Sequence, residues 1–485
     1  VAIGNLFALV VLNGLEMASG SILWVLPLAV GTGYGMMRGI RWRKPRVVLP
    51  RAAVWMAIAW VALLTAPRLP YPLHRVPDAQ ILSAGDDHGR LAELVALTKS
   101  PQYPARHPSN QKYLLSHYYG ALLPMAWVKF AVPALNLKEC IFLGNLLCHV
   151  LMAGAVLELA SLLFAGARPA VAFVFLMTFF SGLDWVTTLP LLFDHHEHWF
   201  FRRFGEWREI SSMYTVAVWA VHHAFGMWSV LAAYVVLMHG RWRARWRKPF
   251  VVGLLMVSAL YASVFVLLSL PFVAWKAIWR IGVRLLKNGL WIPLTALACV
   301  PAFLFFGRQT GSAFTISVMG AWPLTVYLCG VLLLDIPLLW WLVRRDRRML
   351  GSLLFFVSCL FVSSIGLNNY TMRGLLIPTV ILYACAAPHL ASIRWRRPLA
   401  ASAIALTVIG TVRGAAWLTY RPLETSPLYW EFTGRPMPEF AKVRGRELKG
   451  IDRLEREEMV QDVPLEAMDF TEVELLRMPR EGWFR

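Results

Sequence analysis

The chain has 485 residues, 58% of them hydrophobic and only 16% charged, with a net charge of +20. Soluble domains carry about a quarter charged residues, so the composition argues against a soluble globular domain and for a chain made for lipid. The positive charge is gathered into short clusters, which reads as membrane topology and attraction to anionic lipid rather than nucleic-acid binding.

Runs of about 17–25 apolar residues suit helices crossing about 30 Å of hydrocarbon. In chain order they predict helices over 3–18, 20–37, 52–67, 115–134, 140–165, 169–193, 213–239, 249–275, 289–306, 313–343, 350–367, 375–391 and 398–419. The expected fold is therefore all-α, a polytopic transmembrane bundle of about 11–13 helices. The opening run is longer than the apolar core of a cleaved signal, about 7–15 residues. The chain begins at Val1, and the native N-terminus is expected upstream. No internal repeat is visible. The cysteines (Cys140, Cys148, Cys299, Cys329, Cys359 and Cys385) all fall in apolar runs without metal-type spacing, and read as small buried hydrophobes.

The basic clusters at 38–46, 239–248, 344–348 and 393–398 mark cytoplasmic loops. The long segment 68–115 then becomes a first extracytoplasmic loop, 194–212 a second polar outer loop, and the turn around 367–374 lies outside as well. Three expected spans between 115 and 193 conflict with both ends lying outside. One segment there is expected to be broken or re-entrant, with Gly182 and Asp184 marking a break. Basic residues flank 249–275 on both sides, which predicts a bent hairpin around "SALYASVF". The transmembrane module thus covers 1–420. Residues 421–485 carry half of the 28 acidic residues and no apolar run, and read as a small extracytoplasmic tail.

Four polar groups stand on the outer side. In "GDDHGRLAELVALTKS", Asp86, Asp87 and His88 precede a stretch with apolar residues at helical spacing that suits the interface. An Asp there serves equally as a helix cap. Further along the same loop Arg106, His107, Lys112 and His117 suit a phosphate, with Tyr118 and Tyr119 at the depth where tyrosine is common. The second group is "FDHHEHWFF". His195, Glu197 and His198 are metal-ligand types without a third ligand at readable spacing, and Trp199 and Trp207 fit an interfacial belt. A substrate-facing site remains the other reading of this stretch. The third group, His222 and His223, lies inside an apolar run. Burying imidazole in hydrocarbon is costly, so an intramembrane His points to a cavity or to a satisfying neighbour. Consecutive helical residues point about 100° apart, so one of the two faces the site more fully. The fourth group is "LNNYTMRG", with Asn368, Asn369 and Arg373. A guanidinium on the outer side of such a protein matches phosphate or carboxylate oxygens.

The pieces "GDDHGRLAELVAL", "YLLSHYYGALLPMAWVKF", "FSGLDWV", "HHEHW", "SSMYTVAVWAVHHAFGMWSVLA" and "NNYTMRGLLIPTVILYA", in this order over roughly 80–390, resemble the GT-C superfamily of integral-membrane glycosyltransferases, and within it a group of bacterial multispanning members. Where that group carries Pro-Gln-His, this chain has Val221, His222 and His223, so His223 takes the shared His position.

The resemblance implies a hexosyl- or pentosyltransferase of the bacterial cytoplasmic membrane with its site facing outward. The donor is a sugar on polyprenyl phosphate, and the acceptor a glycan, lipid or protein hydroxyl. Asp86 or Asp87 would be the catalytic base. Arg373, with Lys112, His195 or His198, would stabilise the leaving phosphate. His88, His117, Tyr118, Glu197, His222, His223 and Asn369 complete the expected substrate-binding set. Inversion is expected and no cofactor is expected, though a divalent metal stays open. The competing readings are a transporter or flippase for an anionic lipid or sugar, and a metal-binding membrane protein built on the His-rich loop.

Overall fold

The computed structural model describes residues 41–42, 46–73, 90–91, 94–95, 98, 106–107, 110–114, 122–180, 213–219, 221–241, 247–275, 279, 283, 314–315, 349–359, 363–364, 373–392, 398–420, 434 and 436. Their architecture is helical. Helix α1 spans Arg51–Thr65 and tightens into a 3-10 turn, Ala66–Arg68, where Pro67 cannot supply a backbone donor. A single turn, α2 (Pro70–Leu73), follows. Then come α3 (Leu123–Ala131), α4 (Leu137–Leu163), α5 (Ala167–Phe179), α6 (Met213–Trp219) and α7 (Val221–His239). The remaining helices are α8 (Arg247–Ala262), α9 (Val264–Leu268), α10 (Leu270–Val273), α11 (Leu350–Ser358), α12 (Leu376–Ser392) and α13 (Pro398–Tyr420). The described strands form three antiparallel ladders: β1 (Arg41–Trp42) with β4 (Gly240–Arg241), β2 (Arg106–His107) with β3 (Asn110–Leu114), and β5 (Phe314–Thr315) with β6 (Ser363–Ser364).

Helix α4, 27 residues long, starts where the sequence supplies a start signal. Asn136 Oδ1 accepts the Glu139 N–H at 2.8 Å, and Glu139 Oε2 accepts the Asn136 N–H at 2.9 Å. This reciprocal cap satisfies two donors that the first turn leaves open. Among the described residues α4 is the helix long and apolar enough to cross a bilayer. Its polarity is reversed relative to a soluble helix. Leu143, Leu147, Val150 and Leu151 are exposed, whereas Asn145 (1% exposed) and His149 (0%) are buried. Trp55 and Ile58 of α1, Leu354 and Val357 of α11, and Ile409 and Val412 of α13 are exposed in the same way.

Two contacts set the sense of α1 against α4. The Arg46 N–H reaches the Ser161 carbonyl at 2.9 Å, and Thr65 Oγ1 lies 3.4 Å from His149 Nδ1. The helices are therefore antiparallel, with Arg68 and Asn145 both beyond the Thr65–His149 contact. Antiparallel α7 and α8 approach closely at Gly226, where a Cβ would lie 3.2 Å from Ser263 Cβ and 3.4 Å from the Ala259 carbonyl oxygen. The β1–β4 ladder pairs Arg41 with Arg241 and Trp42 with Gly240, which sets the first two basic clusters side by side. His223 lies 17 residues before Gly240, about 25 Å along a helix from this ladder.

Several sequence expectations match these elements. Expected spans 52–67, 140–165, 375–391 and 398–419 correspond to α1, α4, α12 and α13 to within three residues at each end. Where a bent hairpin is expected in "SALYASVF" the chain shows a break: α8 ends at Ala262, Ser263 is extended (φ −169, ψ 106), and α9 starts at Val264. Cys140, Cys148, Cys359 and Cys385 are free and buried. Other expectations change. The expected helix over 213–239 is two helices: α6 ends at Trp219 and α7 starts at Val221, with Tyr214 Oη donating to the Leu63 carbonyl at 3.2 Å and Arg68 reaching Val218. The expected helix over 350–367 ends at Ser358, because Ser363 and Ser364 give their backbone to a ladder with Phe314 and Thr315. That ladder also removes Phe314 and Thr315 from the expected helix over 313–343. In the stretch "RLAELVALTKS", Arg90, Leu91, Leu94 and Val95 are helical as expected, and all four are buried. The expected helices 3–18, 20–37 and 289–306, Gly182 and Asp184 lie outside the described residues, as does nearly all of 421–485.

The close approach of α10 and α11 gives a stability prediction. A Cβ on Gly351 would overlap the Phe272 carbonyl oxygen and lie 3.0 Å from Val273 Cα, both backbone atoms that cannot rotate away. Gly351→Ala is expected to destabilise the fold by about 1–3 kcal/mol, as overpacking does. The check is the thermal midpoint in mild detergent against that of Gly253→Ala, where a Cβ meets nothing within 4 Å.

Candidate functional site

Two of the four polar groups meet around Phe265. His223 is buried on α7, and its Nδ1 lies 2.6 Å from Ser263 Oγ. Ser263 stands at the N-cap position of α9, yet its side chain does not cap that helix; the break between α8 and α9 turns the hydroxyl onto the imidazole instead. Which partner donates follows from the tautomer of His223. The His222 ring sits 3.9 Å from that of His223 at an angle of 46°. His222 is only half-buried, so of the two it is His223 that faces the interior. The Phe265 ring stands edge-on to His223 at 6.3 Å.

Arg373 reaches the same place from another direction. It lies just ahead of α12 and is 7% exposed. The adjoining Gly374 permits the approach: a Cβ there would lie 2.7 Å from Phe355 Cζ and 3.6 Å from the Phe265 carbonyl oxygen. Phe265 thus meets His223 with its ring and the backbone beside Arg373 with its carbonyl, joining segments 150 positions apart in the sequence.

Arg68 was not among the residues expected from sequence. It is fully buried, and its Nη2 donates to the Val218 carbonyl at 2.8 Å, four residues before His222. A readable signal existed. Arg68 follows an apolar run on the side away from the basic clusters, the reasoning already applied to Arg373. Among the described residues the buried arginines are Arg68, Arg90 and Arg373, and the buried acid is Glu139, whose carboxylate is held in the α4 cap. Trp60, Met177, Met213, Ala224, Met227 and Trp228 pack closely together as part of the apolar core.

No family model, curated protein or solved structure matches this chain.

Of the other expected site residues, Lys112 lies on β3 within the small β2–β3 hairpin. Asp86, Asp87, His88, His117, Tyr118, His195, Glu197, His198 and Asn369 lie outside the described residues. Among the described residues no three His, Cys, Asp or Glu side chains gather as a metal would require. The described part of the site offers guanidinium groups, two imidazoles and a hydroxyl in an apolar surrounding. Such a set binds anionic oxygen, and an imidazole so placed can move a proton.

Proposed function

We propose that the protein is a membrane glycosyltransferase of the GT-C kind. It moves a sugar from a polyprenyl-phosphate carrier to a hydroxyl of a glycan, lipid or protein on the outer side of the bacterial cytoplasmic membrane. The observation that carries the reading is that buried His223 and buried Arg373 lie on segments that both pack at Phe265, with a further buried arginine, Arg68, on Val218, inside a strongly apolar chain. Buried guanidinium groups call for anionic oxygen, and ionisable groups at membrane depth point to function.

Support for the membrane setting comes from the reversed polarity of α4 and from the β1–β4 ladder. Two basic clusters that charge bias assigns to the cytoplasm lie together there. The imidazole layer about 25 Å away then falls near the opposite face of a hydrocarbon core about 30 Å thick.

In this reading Arg373 and His223 hold the donor phosphate, with Lys112, His195 and His198 as further cations. His88, His117, Tyr118, Glu197, His222 and Asn369 line the sugar and acceptor. Asp86 or Asp87 takes the acceptor proton as the hydroxyl oxygen attacks the anomeric carbon and the carrier phosphate leaves. The tail 421–485 is a small extracytoplasmic appendage. No cofactor enters this scheme.

Native mass spectrometry of the protein from mild detergent, with polyprenyl-phosphate sugars added, tests the reading. A bound lipid-linked sugar is the expected result. A stoichiometric transition metal with no affinity for the lipid carrier would instead make His195, Glu197 and His198 a ligand set.

A further inference from the structure

Ser263 is a fully buried hydroxyl held against one imidazole. Its relative exposure is 0%, and its Oγ lies 2.6 Å from His223 Nδ1. Its backbone N–H donates to the Ala259 carbonyl at 2.7 Å, and its side chain does not cap α9. Among the described residues His223 is the partner of the hydroxyl. The chain is shaped for this contact. Ser263 is extended in the break between α8 and α9, which frees its side chain from both helices. Gly226 lies three residues after His223, on the same side of α7. A Cβ there would lie 3.2 Å from Ser263 Cβ, so the bare glycine leaves room for the serine to approach.

A hydroxyl has one proton to give and two lone pairs to offer. If Nδ1 carried the imidazole proton, it would donate to Oγ. The hydroxyl proton would then be buried without an acceptor, which is costly. With Nδ1 bare, the hydroxyl donates to it and the imidazole proton sits on Nε2. The hydrogen bond at one ring nitrogen thereby sets the state of the other.

We propose that Ser263 is a positioning residue: it holds His223 as the Nε2–H tautomer and makes the imidazole an N–H donor for an anionic oxygen. In that form Nε2 has no lone pair to take an acceptor's proton, so His223 binds and is not the base. The tautomer stands on the Ser263 contact alone. That the oxygen belongs to the sugar donor's phosphate rests on the transferase reading.

The test is solid-state NMR of the full chain in lipid bilayers at neutral pH, with histidine labelled in carbon and nitrogen. Comparison with His223→Gln identifies the His223 signals. Nδ1 is bonded to Cγ and Nε2 to Cδ2, so their couplings tell the two nitrogens apart. Wild-type protein is expected to show a protonated Nε2 and a bare Nδ1 that accepts a hydrogen bond. In Ser263→Ala the Nδ1 signal is expected to shift as that bond is lost. Ser263→Thr keeps the hydroxyl and is expected to restore it. Affinity for polyprenyl-phosphate hexoses and pentoses, measured on the same proteins, is expected to fall about 2- to 10-fold in Ser263→Ala and to recover in Ser263→Thr. A wild-type proton on Nδ1, or on both nitrogens, overturns the proposal, as does an Nδ1 signal unchanged in Ser263→Ala. A wild type that shows the Nε2–H form but binds no lipid-linked sugar overturns the transferase reading and leaves the tautomer assignment standing.

Discussion

Asp86→Asn and Asp87→Asn, made separately, are expected to differ sharply: one lowers sugar transfer by about 10²- to 10⁴-fold and the other has a much smaller effect. The reason is chemical. An acceptor hydroxyl attacks an anomeric carbon slowly unless its proton is removed as the new bond forms, and a carboxylate is the group in the first outer loop that can remove it. Asn keeps the size and hydrogen-bonding shape of Asp but cannot take a proton. The proposed transfer needs a single base, so only one of the two acids is expected to matter. Donor binding should survive in both variants, because the phosphate is held by cations elsewhere. Initial rates of transfer, with donor affinity measured alongside, check this. A helix-capping role for both residues predicts instead a loss of stability of about 0.5–2 kcal/mol with transfer kept.

Arg373→Ala is expected to lower transfer by about 10²- to 10³-fold, the usual cost of removing one donor aimed at developing charge. Donor affinity should fall with it, because the guanidinium meets the phosphate in the ground state too. Arg373 is 7% exposed and is brought in by Gly374, whose missing side chain lets the chain approach Phe355 and Phe265. Arg373→Lys keeps the charge but loses the planar fork, so it should restore binding only in part. A purely structural role for Arg373 would appear as a lower thermal midpoint with unchanged donor affinity in the folded fraction.

Helices were the most legible part of the sequence. Apolar runs fixed α1, α4, α12 and α13 to within three residues at each end, and the polar letters of "SALYASVF" marked the break at Ser263. The α4 start was readable but unused, since Asn136 and Glu139 form the N-x-x-E pattern of a cap. The division between α6 and α7 was not readable. An unbroken apolar run such as "MYTVAVWAVHHAFGMW" gives the same pattern whether it forms one helix or two. The β1–β4 and β5–β6 ladders, two residues a strand, are backbone pairings across long sequence distances, to which side-chain pattern is blind.

At the site, His222, His223 and Arg373 stood out because charge inside an apolar run is conspicuous. Arg68 was passed over as the first residue of a loop, although it is fully buried. Asn145 and His149 were passed over because each is a single polar letter among apolar ones. Their spacing of four places both on one helix face, which in a reversed-polarity helix marks the inside. That Ser263 meets His223, and that Phe265 links His223 to Gly374, depends on tertiary packing alone.

The most direct test follows the carrier itself. Purified protein in proteoliposomes receives polyprenyl-phosphate hexoses and pentoses labelled in both the sugar and the lipid, with a membrane glycan extract as acceptor. The predicted result is release of free polyprenyl phosphate, with the labelled sugar passing to acceptor, in wild-type protein and not in the double variant Asp86→Asn/Asp87→Asn. Donor that stays intact but crosses between the leaflets equally well in both proteins would contradict the account and identify a transporter instead.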